Sequence, residues 1–364
     1  MNIEEIRKID RVHPYPAKFT IDLALEKINQ HSKESDVVYD PFVGSGTTLL
    51  ASRLLNRKSY GTDINFIAIL ISQFKCLKLT NSNITNLENF ITNFEKTYKT
   101  DINTIELFNY PSIEHWFCPD AIRILSLIKK QTETIENESE SIFCKLVLSS
   151  IINSASNQES DTRYAAVQKP KLNIDYIASL YIKKFQSTLE NFKNIKDDFA
   201  NIDANPILYN SKKCYEVIAE NSVDLILTSP PYPNTYDYYL YHKHRMNWLD
   251  FDVKYSMNSE IGSRREFSSL KKPKEKFDDD MYEILSACNK TLKKNGIAVL
   301  VMGDGQIQGE LYEAKENMEA ICKKLHWKLI DYSFTFLDDT SRSFIKSYRT
   351  KGKKEHVLVF KKES

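Results

Sequence analysis

The sequence predicts an α/β fold: a sheet with helices on both faces, interrupted by a mostly helical insert. Three observations carry this. Short predicted strands such as Val37–Tyr39, Ser59–Thr62 and Val223–Leu227 alternate with helical patterns such as Leu49–Leu55, an alternation that buries a sheet on both sides. Ile297–Met302 is apolar throughout, as a central parallel strand must be. Residues 81–205, by contrast, hold few strand signals and no catalytic motif.

The first strand, Val37-Val38-Tyr39, ends at Asp40. Pro41-Phe42-Val43-Gly44-Ser45-Gly46-Thr47-Thr48 then turns it into a helix. Strand, glycine-bearing turn and helix is the geometry of a nucleotide-type cofactor site. Its glycines allow close backbone approach, and the helix start offers N–H groups to an anion such as a carboxylate. The Gly-Lys-Ser/Thr of a P-loop is missing, as is the third glycine of the dinucleotide fingerprint. An acid at the strand end suits a cofactor with a positive amino group better than one with a pyrophosphate. The next strand, Ser59–Thr62, ends at Asp63-Ile64-Asn65. Asp63 there either takes two ribose hydroxyls or caps the following helix.

The insert reads as helices, for example Ala121–Ile128 and Ile142–Ile152, with polar Gln131–Ser141 as a loop between them. From residue 206 the chain returns to the sheet. Lys294-Asn295-Gly296 is expected to end a helix, with Gly296 at the C′ position. Trp327–Phe336 and His356–Phe360 read as a closing antiparallel pair around a basic loop. The expected domains are 1–80 with 206–364 for the chemistry, and 81–205 as the insert.

Composition narrows the class. With 364 residues the chain can bury a core in two or so structural units. It contains no apolar run long enough to span a membrane, and Met1-Asn2-Ile3-Glu4-Glu5 does not read as a signal peptide. Six cysteines without a Cys-x-x-Cys pair suit free thiols in the cytoplasm and give no zinc site.

Thr228-Ser229-Pro230-Pro231-Tyr232 is the most informative stretch. It follows the strand Val223–Leu227, and neither proline has an N–H for a sheet ladder. The chain must leave the sheet as a stiff extended corner with a hydroxyl on one side and an aromatic ring on the other. Such a corner suits a planar base carrying an exocyclic NH2. The Ser229 hydroxyl and the Pro230 carbonyl accept its hydrogens while the Tyr232 ring packs on its face. A plain strand-to-turn connection is the alternative reading of the dipeptide alone.

Three motifs together resemble the S-adenosylmethionine-dependent DNA amino-methyltransferases of bacterial restriction–modification systems. They are His13-Pro14-Tyr15-Pro16-Ala17-Lys18-Phe19, Asp40–Thr48 and Ser229–Tyr232. The resemblance covers about residues 11–70 and 206–364. It implies a Rossmann-like seven-stranded sheet with its last strand reversed, and S-adenosylmethionine as cofactor. It assigns cofactor contacts to Lys18, Phe19, Asp40, Pro41, Phe42, Gly44, Ser45, Gly46, Thr47, Asp63 and Ile64, and catalysis to Ser229, Pro230, Pro231 and Tyr232. Where similar proteins often carry an aspartate that contacts the cofactor adenine, this chain has Asn210, which can still bond an adenine edge. In that family Ser-Pro-Pro-Tyr is associated with cytosine N4 and Asp-Pro-Pro-Tyr with adenine N6. No Pro-Cys dipeptide is present, which argues against the nucleophile of cytosine-C5 enzymes. The resemblance implies a bacterial or archaeal cytoplasmic, nucleoid-associated enzyme on double-stranded DNA, with the insert 81–205 as a candidate DNA-recognition region. It would be paired with a restriction endonuclease and need neither metal nor membrane. Adenine-N6 methylation, RNA guanine-N2 methylation and a non-catalytic DNA-binding specificity protein are the alternatives.

A net charge of +1 requires that any DNA-binding surface be sorted locally. Basic candidates are Arg342–Lys354, Lys271–Lys274 and Lys183-Lys184, each of which also reads as a solvated face. Aromatic and basic residues interleave after the proline corner, and Tyr236 and Tyr238 are the candidates for contact with unpaired bases. Trp248 and Leu249 read as core. Arg163 in Ser156–Tyr164, and Arg264 and Arg265 in Glu260–Glu266, are candidate base readers. Each also fits a loop with internal hydrogen bonds.

Overall fold

Seven strands align into one sheet: β1 (Val37–Asp40), β2 (Lys58–Asp63), β3 (Ala204–Leu208), β4 (Val223–Thr228), β5 (Leu292–Gly303), β6 (Trp327–Phe336) and β7 (Lys354–Lys362). The computed structural model describes residues 3–169, 172–194, 202–337 and 353–363. The order across the sheet is β6-β7-β5-β4-β1-β2-β3. β1 is parallel to β2 and β4, β2 to β3, and β4 to β5. β7 is antiparallel to both neighbours, β5 and β6. This is the Rossmann-like seven-stranded sheet with a reversed last strand that the sequence resemblance implied.

Both faces of the sheet are covered because alternate side chains point to opposite sides and both sets are apolar. Tyr39, Ile226, Ala298, Leu300 and Met302 join one core with Phe277, Met281, Leu285 and Cys288 of the helix Glu275–Thr291. Their neighbours Val38, Leu225, Leu227, Val299 and Val301 are equally buried on the other side. The helices Ile21–His31 and Thr47–Leu54 pack over β4 and β1.

The strand order returns to β1 in the middle of the sheet, while β4 begins the half on its other side. Ligands of open α/β sheets bind beyond the carboxyl ends of strands at such a switch. Asp40 and Thr228, the last residues of β1 and β4, stand there side by side.

One expectation is corrected. The helix before β5 ends at Thr291, not at Gly296, and Asn295 takes the left-handed conformation (φ 62°). Gly296 is needed for space: a Cβ there would lie 2.6 Å from Leu292 Cδ1.

The chain divides into two compact units. The sheet unit comprises Pro16–Ser72, Ile202–Tyr239 and Tyr255–Ser364. The helical unit comprises Met1–Tyr15, Gln73–Asn201 and Leu240–Lys254, where the sequence suggested 81–205. Its main helices are Asn81–Asp101, Pro119–Glu133, Glu138–Ile152 and Ile174–Lys193. Phe143 and Phe185 pack edge to face in its core at 5.0 Å between ring centroids. The loop expected over Gln131–Ser141 shrinks to four residues, 134–137, because Asn137 caps the next helix through Glu140 N–H. Within Ser156–Tyr164 the structure forms a hairpin, Gln158–Ser160 against Arg163–Ala166. Most of the basic stretch Arg342–Lys354 lies outside the described residues.

Candidate active site

The turn after β1 is built by its glycines and hydroxyls. Gly46 has φ 77° and directly precedes the helix Thr47–Leu54. A side chain there would be strained by the backbone, and its Cβ would also meet Ser72 Oγ at 2.9 Å. Gly44 N–H donates to Asp63 Oδ2 at 3.0 Å, and the Ser72 hydroxyl donates to Gly44 O at 2.9 Å. The turn is therefore pinned to the end of β2 and to the helix Phe66–Lys75.

Asp40 is 1 % exposed. Its Oδ1 accepts from Phe42 N–H at 3.0 Å and from the Thr228 hydroxyl at 2.6 Å. Its Oδ2 accepts from the Thr48 hydroxyl at 2.6 Å. Burial raises its pKa to about 6 against these donors. Asp40 thus links the glycine turn to the strand that carries the proline corner.

Asp63 is half-buried at the end of β2, where burial likewise raises its pKa to about 6. Besides Gly44 N–H it accepts from Asn65 N–H at 2.9 Å. The helix cap is Asn65, whose Oδ1 accepts from Ile67 N–H at 2.9 Å. Capping therefore does not account for Asp63. Ile64 beside it is half-buried.

A chain of hydroxyls that sequence reasoning missed ties three strand ends together. Tyr39 bonds Thr62 (2.7 Å), Thr62 bonds Ser211 (2.8 Å), and the Ser211 hydroxyl donates to Pro41 O (2.5 Å). Hydroxyl residues just before and after strand ends were the available signal. Asn210, just past β3, caps the short helix Ser211–Glu216 by accepting from Lys212 N–H at 3.1 Å.

The proline corner leaves the sheet directly after Thr228. Ser229 and Pro231 are half-buried, and Pro230 and Tyr232 are buried. The Tyr232 ring lies against Gly303, where a Cβ would come within 2.6 Å of the ring. Its hydroxyl donates to Glu355 Oε1 at 2.5 Å and is also in hydrogen-bonding reach of Ser229.

The segment after the corner is strapped by residues 260–268. Asn234 N–H donates to Gly262 O at 2.8 Å, Arg264 N–H to Tyr236 O at 3.4 Å, and Arg265 N–H to Asp237 Oδ1 at 3.0 Å. The half-buried Arg264 and Arg265 both act electrostatically on Asp237. Tyr236 is buried and Tyr238 half-buried, with ring centroids 5.6 Å apart.

Two candidate groups are placed less directly. Lys18 and Phe19 are half-buried in the sheet unit just before the helix Ile21–His31, whereas His13–Tyr15 belong to the helical unit. Arg163 is exposed on the hairpin of the helical unit and pairs with Glu159 at 2.8 Å. Among the described residues no group of His, Cys, Asp and Glu could hold a metal, and no helix is long and apolar enough to cross a membrane.

A family model described as DNA methylase, of the N6/N4 type, matches residues 2–74 and 223–364. The chain belongs to this DNA methylase family. The two matched segments contain the glycine turn and the proline corner. Type II methyltransferase M.MvaI from Kocuria varians is 26 % identical over 262 residues, covering 67 % of this chain and 58 % of that protein. Type II methyltransferase M.BsoBI from Geobacillus stearothermophilus is 24 % identical over 279 residues, covering 66 % and 52 %. Orphan methyltransferase M.BamHII from Bacillus amyloliquefaciens is 49 % identical over 51 residues, 14 % of this chain and 19 % of that one. The chain thus spans little more than half the length of the two longer-matching relatives.

DNA methylases draw their methyl group from S-adenosylmethionine, and the residues fit that cofactor. Two carboxylates raised by burial stand at the ends of adjacent strands beside a glycine turn, a setting matched to a cationic, ribose-bearing molecule.

Proposed function

We propose that the chain transfers a methyl group from S-adenosylmethionine to the exocyclic N4 amine of cytosine in double-stranded DNA, with the target base turned out of the helix. One observation carries this reading. The Ser-Pro-Pro-Tyr corner and the glycine turn leave neighbouring parallel strands, and Asp40 holds them together through Thr228 and Thr48. An amine acceptor and a cationic donor are thereby offered adjacent positions.

The cofactor supplies an electrophilic methyl on a sulfonium sulfur. Asp63 is assigned to the ribose hydroxyls, and Asn210 to the adenine edge. Asp40 acts through its negative charge beside the turn and through the shape it gives the turn by accepting from Phe42, Thr48 and Thr228. Lys18 and Phe19 close over the methionine portion.

An exocyclic amine is a poor nucleophile because its lone pair is delocalised into the ring. Hydrogen bonds from its two hydrogens to the Ser229 hydroxyl and the Pro230 carbonyl favour a pyramidal nitrogen and free the lone pair. That lone pair can then take the methyl group which the cofactor, held by Asp63, Asn210, Lys18 and Phe19, would supply as its carbon–sulfur bond breaks with the pair left on sulfur. The extra proton on nitrogen leaves afterwards to water. Rate acceleration comes from positioning and fixed acceptors rather than from a covalent intermediate. Tyr232 supplies a rigid wall, because its ring is held by Gly303 and its hydroxyl by Glu355.

Cytosine is chosen over adenine because the first residue of the corner is Ser229, not aspartate. Tyr236, Tyr238, Arg264, Arg265 and the hairpin Arg163 are assigned to DNA. A restriction endonuclease is proposed as functional partner, by analogy with relatives named Type II. Methyl transfer from tritiated cofactor to duplex DNA, compared with transfer RNA, tests the substrate class. Incorporation into transfer RNA alone would overturn this reading.

A further inference from the structure

The basic stretch Lys271–Lys274 has no role in the chemistry above, yet hydrogen bonds tie it to the proline corner. Directly after β5 and Asp304, a small hairpin runs Gly305–Ile307 against Glu310–Tyr312. Gln308 (φ 51°) and Gly309 (φ 90°) form its two-residue turn, both with the positive φ of tight hairpins. A Cβ on Gly309 would meet nothing within 4 Å, so the tip stands clear of the described residues.

Asn234, three residues past Pro231, holds this hairpin and the basic loop at once. Its Nδ2 donates to Gln306 O at 2.7 Å, and its Oδ1 accepts from the Ser268 hydroxyl at 2.8 Å. Gly305 lies against Pro233, where a Cβ would come within 2.6 Å of the ring. Gln308 then fixes the loop itself: its Nε2 donates to Lys272 O at 3.0 Å and to Lys271 O at 3.4 Å. Lys272 N–H donates to Glu266 O at 3.0 Å, and Lys271 is held in the left-handed region (φ 53°). A lysine backbone stays there only where its surroundings over-determine it.

The backbone of the loop is thus pinned while its charged ends are left to solvent. Lys271, Lys272 and Lys274 are exposed, and none forms an ion pair among the described residues. From Ser268 to Lys276 the chain carries four lysines and one acid, Glu275. Lys276 is taken by Asp280, and Asp278 accepts from the Tyr312 hydroxyl at 2.6 Å. Glu310 is the exposed acid of the hairpin. Three ammonium groups on a fixed loop match a row of phosphates, which they neutralise as point charges without demanding one geometry.

We propose that Lys271, Lys272 and Lys274 form a phosphate clamp that holds the DNA backbone beside the turned-out base. The proposal rests on DNA being the substrate. Turning a base out rotates its nucleotide about the backbone, so the flanking phosphates must be held for the base to arrive at one position. The corner that receives the base and the loop that holds the phosphates share Asn234, which sets one in register with the other.

The test is the salt dependence of duplex binding by the full chain, read by fluorescence anisotropy of a labelled random-sequence duplex with S-adenosylhomocysteine present. One variant combines Lys271→Gln, Lys272→Gln and Lys274→Gln. A control removes the same charge elsewhere on the sheet unit, at the exposed Lys294, Lys323 and Lys328, each changed to glutamine. Each lost phosphate contact lowers the slope of log K against log salt by about 0.9, so the clamp variant should lose about 2–3 in slope and roughly tenfold or more in affinity near physiological salt. The control should keep the wild-type slope, and both variants should keep the wild-type cofactor affinity. A wild-type slope in the clamp variant, an equal loss of slope in the control, or a matching loss of cofactor affinity in the clamp variant overturns the proposal while leaving the DNA reading intact. A wild-type chain that binds no duplex overturns both.

Discussion

Thr228 donates its hydroxyl to Asp40 at 2.6 Å, joining the end of β4 to the end of β1. Both side chains are buried, and the Thr48 hydroxyl closes the link from the other side. Replacing Thr228 with valine keeps the shape but leaves the buried carboxylate one donor short. A loss of about 1–3 kcal/mol in unfolding free energy is expected. Methyl transfer and cofactor affinity should both fall, because the corner and the turn share this bond. Thr228→Ser should restore most of both. Denaturant unfolding and cofactor titration check this.

Gly46→Ala tests the turn. Its φ of 77° strains any side chain, and Ser72 Oγ would stand 2.9 Å from the new Cβ. About 1–3 kcal/mol of destabilisation is expected, with cofactor affinity lowered roughly tenfold or more. Adding Ser72→Ala should recover only part, since the backbone strain remains. Full recovery in the double variant would show that crowding alone was responsible.

Tyr232 separates wall from hydroxyl. Tyr232→Phe removes the bond to Glu355 but keeps the ring, so a stability loss of about 0.5–1.5 kcal/mol with most of the methyl-transfer rate retained is expected. Gly303→Ala pushes a Cβ into that ring and should cost more rate than Tyr232→Phe. Single-turnover kinetics of the two variants decide the order.

The helical unit should be acid-sensitive through His244. It is 1 % exposed, and burial, with Lys243 and Arg245 nearby, lowers its pKa to about 3. Its folded pKa lies below its unfolded one, so its stability contribution is complete above about pH 6.5 and is lost as pH falls toward 3. At about pH 5 the cost is about 2 kcal/mol. His244→Phe fits the surrounding rings of Trp116, Phe117 and Tyr164 and should remove that increment. Unfolding curves near pH 7.5 and near pH 5, compared between variant and wild type, measure it.

Much of the sheet was legible because its strands are apolar on both faces and end at turn residues that announce themselves. Val37–Tyr39, Val223–Leu227 and Ile297–Met302 all lie within observed strands. The glycine turn was legible because few residues tolerate its backbone. What stayed hidden depends on partners far apart in sequence. The bond between Asp40 and Thr228, 188 residues away, is one such link. The strap from the Arg264 and Arg265 main-chain N–H groups to Tyr236 and Asp237 likewise joins segments 28 residues apart and has no signature in the chain. The hairpin at 158–166 was hidden by short strands rich in polar residues, which show no period-two pattern. Gly296 was misread because steric need and left-handed need give the same letter.

The central claim is that the proline corner methylates an amine of DNA. The most direct measurement is nucleoside mass spectrometry of duplex DNA incubated with S-adenosylmethionine and either the wild-type chain or Ser229→Ala. The prediction is N4-methylcytosine from the wild type and little from the variant, which still binds cofactor with unchanged affinity. DNA with no methylated nucleoside from the wild type, or an equal yield from Ser229→Ala, would contradict it.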